Sequence, residues 1–544
     1  MKVAIIGSGI SGLTAAYLLQ KEHDITVFEA NDYIGGHTHT HEISQNNKTW
    51  SVDSGFIVYN EKTYPNFIRL LKKLKVGVQK TTMGFSVKAP SKNLEYAGGS
   101  INMVFAQRLN LFKPSFLIML KDIFRFNRLA ARELERVDEK STILSFLEKH
   151  KFSKPFIENY IIPMGAAIWS TAANKTTEMP AAFYIRFFKN HGLLQIFNRP
   201  QWFVIKGGSK SYVQKIVEGF KEKIFLSRPV TKVERSPSEV RVYCDNESDP
   251  ILFDKVIFAT HSDQALAMLK EPSENEKAVL EALPYQKNTA IVHTDESLMP
   301  KNKTTWSSWN YLLSGDLKKP VTLTYNMNIL QSLQAKPDFL VTLNSLNEIN
   351  PSKIIKKIDY AHPLFTVDGI NAQKKKSQIS GHNNTYYCGA YWGNGFHEDG
   401  LADTADAMGG AYDRDRLMLI LKDSRIGAFG GMALFIVLLL RISLLADLAD
   451  TMVWGLILGQ SLSRANSTMQ LALFPYTQQK DGSSKSKDIA VSGRAQFSIA
   501  LLWTLGISLG AWYVGLPPEK IAGILAAMAI VHLYLGWRFT LRAG

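Results

Sequence analysis

Three sets of residues in this chain have types and spacings suited to chemistry. The first is Gly7-Ser8-Gly9-Ile10-Ser11-Gly12, a G-x-G-x-x-G. Glycines at this spacing give a tight turn, let the backbone approach an anion, and let a following helix pack closely with its N-terminus facing that anion. Glu29 follows seventeen residues after Gly12, at the end of the next apolar run. A carboxylate placed there accepts the hydroxyls of a ribose. The second set is Asp399, Asp403 and Asp406, at i, i+4 and i+7. On a helix these share one face, and clustered carboxylates hold a magnesium ion against phosphates; the plainer alternative is a solvated acidic face. The third set is His37, His39 and His41, which alternate and would share one face of a strand. No carboxylate or cysteine is placed with them, so a loop role stands ahead of a metal role.

The elements that must position these residues follow from patterning. Residues 2–6 form a short β-branched apolar run, as in a strand buried on both faces, and residues 13–20 continue as a helix. Residues 25–29 read as a second strand. Residues 101–200 have few glycines, and Phe105, Phe112, Phe116, Phe124 and Phe126 are interleaved with basic residues. This predicts a mostly helical cap whose aromatics fill a core, line a greasy tunnel or contact a membrane. A glycine turn at Lys206-Gly207-Gly208-Ser209 and a helix over 212–220 reopen the first domain. Strands are expected at 229–233, 239–244 and 253–259, with His261 as a turn or helix-capping residue. Strand-like runs over 262–380 suit an antiparallel sheet on the substrate side.

Bulk properties narrow the classes. The chain has 544 residues and a formal charge of +15, but no zinc-finger spacing, RNP motif or basic helix-turn-helix, so nucleic acid is not an expected partner. Two cysteines, Cys244 and Cys388, do not make a disulfide scaffold and fit a reducing compartment. The opening MKVAIIGSG enters a strand directly, and no signal peptide is expected.

With the glycine pair Gly35-Gly36 after Glu29, residues 1 to about 400 resemble the flavin-containing amine oxidase superfamily, which includes phytoene-desaturase-like enzymes. The run Val52-Asp53-Ser54-Gly55-Phe56-Ile57-Val58-Tyr59-Asn60 resembles its predicted NAD/FAD-binding bacterial branch. The resemblance implies FAD as cofactor, held by Gly7, Gly9, Ser11, Gly12, Glu29, Gly35, Gly36, His37 and Thr38, with the Val230 backbone at the adenine. The glycine-rich stretch at 386–400 resembles the family's closing fingerprint, implying Gly389, Gly395 and Phe396 at the flavin phosphates and ribityl chain, and Tyr391 and Trp392 near the ring. A small hydrophobic substrate suits the aromatic cap. No nucleophile arrangement is visible, and none is needed where the cofactor carries the hydride chemistry.

After Arg425 the composition changes. Residues 426–440, 495–518 and 521–537 are uncharged, and 452–474 is a more polar fourth segment. About four transmembrane helices are expected. Basic residues around 422–425, 480–494 and 538–542 then lie on the cytoplasmic side with the first domain, which predicts a multi-pass inner-membrane protein. Arg464 falls inside the second span. His397-Glu398-Asp399-Gly400-Leu401-Ala402-Asp403-Thr404-Ala405-Asp406 and Lys422-Asp423-Ser424-Arg425-Ile426-Gly427 resemble the signature of cobalamin synthase, adenosylcobinamide-GDP ribazoletransferase. That resemblance implies a magnesium-dependent membrane enzyme with corrinoid and α-ribazole substrates, and Lys422 and Arg425 at phosphate oxygens.

The expected architecture is an α/β Rossmann-like FAD-binding domain (1–90, 205–262, 384–410), an α+β substrate domain (91–204, 263–383), and an all-α membrane domain (411–544). The stretch 395–401 fits both resemblances. A helix N-terminus that favours FAD phosphates is a poor place for a cation, so residues 389–400 are assigned to the flavin, and Asp403 and Asp406 are left as inherited metal ligands.

Overall fold

The computed structural model describes residues 1–195, 199–316 and 319–409, with isolated helical positions between 502 and 518. Residues 1–410 form one compact unit and 411–544 a second. Among the described residues no helix is long and apolar enough to cross a membrane. The four expected spans lie almost wholly outside the described residues. Lys422, Arg425 and Arg464 lie outside them altogether.

The first unit is built on a five-stranded parallel sheet. β1 (Lys2–Ile6) is central and pairs with β2 (Asp24–Phe28) and with Lys255–Phe258; Ile224–Phe225 and Thr385–Tyr387 form the edges. Four of the five β1 residues are buried, as a continuous apolar run covered on both faces requires. One cover is α1 (Ile10–Leu19), itself buried over most of its surface. The sheet thus draws strands from the start, middle and end of the unit. A three-stranded antiparallel meander, Val230–Arg235, Val240–Cys244 and Ile251–Phe253, lies between two of them in sequence.

The second layer is a seven-stranded sheet in the order Ile354–Pro363, Tyr285–His293, Leu340–Leu343, Thr322–Asn326, Trp309–Leu312, Phe85–Ala89, Leu94–Ala97. It is antiparallel except where Trp309–Leu312 runs parallel to Phe85–Ala89. The domain boundary expected at residue 90 therefore falls inside a hairpin, both strands of which belong to this sheet. The helices expected over 101–200 are present, the longest being Pro114–Glu133. Their aromatics divide: Phe116 and Phe126 are buried, while Phe112 and Phe124 are exposed.

Candidate functional site

The loop between β1 and α1 sets the site. A Cβ added to Gly12 would stand 1.9 Å from the Gly7 carbonyl oxygen, so the first turn of α1 packs on its own loop only without a side chain. Gly7 adopts φ +104°, in the left-handed half of conformational space that glycine tolerates. Gly9 differs: nothing lies within 4 Å of its would-be Cβ, and it opens onto a cavity at the N-terminus of α1. Gly36 brings the second glycine loop against the first, its would-be Cβ 3.2 Å from the Gly9 Cα.

Glu29, 6% exposed, is held from both sides. The Ser8 N–H and hydroxyl donate to its Oε2 at 2.9 and 2.6 Å. The Asn31 N–H and side-chain amide donate to Oε1 at 2.9 and 2.7 Å. The Gly35 N–H donates to the Ser8 hydroxyl at 3.3 Å, tying the two glycine loops together. Ser8 and Asn31 carry no motif signal; only their contact with Glu29 marks them.

The cavity measures about 1190 Å³. One wall carries Gly7, Gly9, Ser11, Glu29, Gly36 and Val230; the closing segment adds Gly389, Tyr391, Gly395 and Phe396. The apolar part of the lining includes Phe85, Met164, Trp169, Phe187, Trp309 and Tyr325. Gly12, Gly35 and Thr38 stand behind this lining. Trp392 also does not line the cavity; it packs against the apolar cluster under the sheet, with the Lys376 ammonium 5.4 Å from its ring centroid.

His37 lines the cavity beside two other imidazoles. Its ring stacks on Tyr360 at 4.7 Å and lies 5.3 Å from His362 and 6.5 Å from His261. His261 precedes the helix Ser262–Met268 and stacks on Tyr285 at 4.1 Å. Burial, and then a neighbouring imidazole, hold His37 and His261 at about 4 and His362 at about 3. All three are therefore neutral at neutral pH. His39 and His41 do share a face, their ring centroids 4.2 Å apart, but away from His37: His39 also stacks on Tyr33 at 3.9 Å, and His41 Nε2 meets the Ser54 hydroxyl at 2.8 Å. The three alternating histidines are thus not brought together, and no metal-ligating group of three occurs among the described residues.

The closing segment is fastened by its acids. Asp399 accepts from the Phe396 N–H at 2.9 Å and the Asn394 amide at 3.0 Å; burial pushes its carboxyl up. Glu398 accepts the Asn66 and Phe67 N–H groups, both at 2.9 Å, at the N-terminus of the helix Pro65–Lys73, where carboxylates are favourable. Asp403 pairs with Lys376 and accepts the Gly389 N–H at 3.1 Å. Asp399 and Asp403 are thus engaged by protein donors within this unit. Asp406 is in the helix His397–Gly409, its side chain outside the described set. The Ser11 hydroxyl donates to the Gly400 carbonyl at 3.2 Å, joining α1 to that helix.

Two further residues position the site. Buried His397 stacks on Phe56 at 3.7 Å and meets the Tyr212 hydroxyl at 2.7 Å. Asp53 accepts the Ser209 N–H at 2.9 Å, the Thr40 hydroxyl at 2.5 Å and the Gln331 amide at 3.0 Å. It thereby links the hairpin Thr40–Asp53 to both sheets' connections.

The cavity passes a test of fit for a dinucleotide cofactor. Gly9 leaves backbone open at a helix N-terminus, and the buried His37 Nε2 and Tyr391 hydroxyl in the lining have no hydrogen-bond partner among the described residues. Such orphaned polar atoms call for a ligand or water.

Comparison with known proteins gives two matches along the chain. The family model described as Flavin containing amine oxidoreductase matches residues 10–323. That described as Cobalamin-5-phosphate synthase matches residues 384–544, beginning at the last strand of the parallel sheet. Among solved structures, a CLA-producing fatty acid isomerase from P. acnes aligns with TM-score 0.56 at 14% identity, over 76% of this chain and 98% of that one. Cyclohexylamine oxidase from Brevibacterium oxydans aligns with TM-score 0.53 at 14% identity, over 75% and 98%; at these identities the likeness is one of fold. Among curated proteins, the adenosylcobinamide-GDP ribazoletransferase of Shewanella amazonensis is 43% identical over 117 residues, 21% of this chain and 45% of that protein. That of Shewanella piezotolerans is 39% identical over 157 residues, 28% and 58%. The chain thus spans about half the length of the curated relatives it matches.

Proposed function

The chain belongs to the flavin containing amine oxidoreductase family, joined to a cobalamin synthase-like segment, and from this we propose that its first unit binds FAD and oxidises a hydrophobic substrate. One observation carries the reading: a single cavity is lined both by Gly9, Glu29 and Val230 of the glycine-loop domain and by the apolar side chains of Trp169, Phe187 and Tyr325. Bound there, FAD supplies the hydride-accepting chemistry. The protein's own part is positional. The open Gly9 backbone and the N-terminus of α1 would hold the pyrophosphate, and Glu29, oriented by Ser8 and Asn31, would accept from the ribose. His37, His261 and His362 present hydrogen-bonding nitrogens without charge. The apolar wall excludes water from the reacting centre.

The walls bear on the substrate. The carboxylates lining the cavity are Glu29, Asp263 and Asp359; Asp263 and Asp359 are exposed, and Glu29 is already held by four donors. The lining lysine, Lys287, is exposed too. A buried cationic amine would find no carboxylate to pair with, and burying an unpaired charge is costly. This supports an uncharged hydrophobic reacting region over a diamine such as putrescine.

A flavin absorbance band in the purified full-length chain tests the cofactor reading. Colourless protein that takes up no added FAD would sink it. Anaerobic bleaching of the bound flavin by putrescine, but not by uncharged hydrophobic candidates, would overturn the narrower substrate reading.

A second reading concerns residues 384–544. The identity to ribazoletransferases supports joining of α-ribazole to adenosylcobinamide-GDP, with release of GMP, in a membrane-bound, magnesium-dependent segment. The expected test result is GMP release by the full-length chain with both substrates and Mg²⁺. No release rejects this reading and leaves the tail as an anchor.

A further inference from the structure

We propose that the outer face of residues 101–132 docks the flavin unit onto the surface of an anionic lipid bilayer. The face begins with Ile101–Val104, continues through Arg108–Phe112 and runs along the helix Pro114–Glu133. The inward side of that helix is fully used: Phe116, Met119, Phe126 and Ala130 are buried, and Phe126 packs against Phe146, Phe152, Phe156 and Phe188. The core therefore does not need Leu117, Ile118 or Phe124, which point outward at 43%, 45% and 61% exposure. Ile101, Leu109 and Phe112 add 81%, 75% and 80%.

This concentration is not a general property of the surface. Among the described residues up to 409, fourteen large apolar side chains are exposed, and seven lie between 101 and 124. The others are scattered, as isolated exposed apolar residues commonly are; a clustered group marks an interaction surface.

Charge selects the occupant. Between Glu95 and Glu133 the sequence holds six basic residues, Arg108, Lys113, Lys121, Arg125, Arg128 and Arg132, and a single acid, Asp122. Asp122 is buried, at 3% exposure, and paired with Arg125 at 2.8 Å. The outer face of the helix thus alternates Leu117, Lys121, Phe124 and Arg128 with no exposed carboxylate. Apolar side chains interleaved with a ring of lysine and arginine match a bilayer interface, where acyl chains take the former and anionic headgroups the latter. A protein partner's surface of mixed charge would leave the basic residues unmatched. Uncharged runs at 495–518 and 521–537 of the same chain are consistent with work at a membrane. The proposal stands on residues 101–132 alone and does not depend on the oxidoreductase reading.

Both native cysteines, Cys244 and Cys388, are buried, so an introduced surface cysteine can be labelled selectively. The full-length chain carrying Leu117→Cys with a polarity-sensitive thiol dye would be reconstituted in vesicles of phosphatidylcholine, with or without phosphatidylglycerol. A blue shift that appears with phosphatidylglycerol, fades in high salt and is lost in Lys121→Glu/Arg128→Glu/Arg132→Glu is expected. Binding through the patch should weaken about fivefold for each basic residue removed. A dye at Leu252→Cys, exposed on the meander, should not respond. An unshifted dye at position 117, an equal shift at position 252, or a shift that needs only higher protein concentration would each overturn the proposal, the last by pointing to self-association. A far-ultraviolet circular dichroism spectrum equal to wild type qualifies each variant.

Discussion

His397 Nε2 lies 2.9 Å from Thr38 Oγ1, across 359 positions of sequence. The Tyr212 hydroxyl stands 2.5 Å from the same Thr38 oxygen, so three distant segments meet in one buried polar triangle. Burial drives the His397 imidazole well below its ordinary value, and it remains neutral. This triangle locks the second glycine loop to the closing segment, the two parts that bracket the cavity. Replacing His397 with Ala leaves two buried hydroxyls short of a partner and opens a void against Phe56. A loss of about 3 kcal/mol in unfolding free energy is expected, with weaker FAD retention, read by urea titration and flavin release. His397→Ala protein as stable as wild type would remove the triangle from this role.

The glycines of the first loop should respond differently to one methyl group. Gly12→Ala places a carbon 1.9 Å from the Gly7 carbonyl oxygen, and misfolding or loss of α1 packing is expected. Gly9→Ala meets no protein atom and its backbone suits any residue. It should fold with near wild-type thermal stability as the apoprotein while losing at least tenfold in FAD affinity, since the methyl enters the space proposed for the cofactor. Apoprotein melting beside FAD titration checks both; equal FAD affinity in Gly9→Ala would count against the placement.

Acid should destabilise the unit in a defined window. His37 and His261 are held at about 4 and His362 at about 3, whereas unfolded histidine titrates near about 6.5. The unfolded chain therefore binds more protons between these values. Stability is complete above about pH 6.5 and falls as pH drops toward 4, by on the order of 2 kcal/mol per histidine at pH 5 and about 3 kcal/mol at pH 4. Asp53 works in the other direction: burial raises its carboxyl to about 6, so its contribution is present at low pH and is lost as pH rises from about 4 to 6. His397, lowered by burial, adds to the histidine side and Asp399, raised by burial, to the carboxyl side; His41, His191 and His293, each held at about 4, tip the balance to net acid lability. A urea midpoint at pH 5 equal to that at pH 7.5 would contradict this.

Asp403 separates two uses of one residue. Its pairing with Lys376 and the Gly389 N–H predicts that Asp403→Asn weakens the flavin unit by about 1.5–3 kcal/mol, the range for a hydrogen bond to a charged group. A residue serving only as a metal ligand for the tail would leave the melting of the flavin unit unchanged. Differential scanning calorimetry followed with flavin fluorescence distinguishes the outcomes.

Much of the parallel sheet and its glycine loop was legible in the sequence because the causes are local. Residues 3–6 are apolar throughout, Gly7, Gly9 and Gly12 follow at fixed offsets, and Glu29 follows the next strand; each depends on near neighbours in the chain. The sequence also marked the shared stretch at 395–401, which the structure places in the first unit through Asp399, Glu398 and Gly400. What it could not reveal were choices made by distant partners. Nothing near Phe112 or Phe124 says that they face outward while Phe116 and Phe126 fill the core; the helix's neighbours decide that. His37 and His39 are two residues apart and of one type, yet one joins the cavity's neutral imidazoles and the other stacks on Tyr33. Asp399 and Asp403 have the spacing of metal ligands, and tertiary contacts with Asn394, Phe396 and Lys376 commit them to protein donors. Spacing along a chain determines which side chains can share a face, but only packing determines what that face meets.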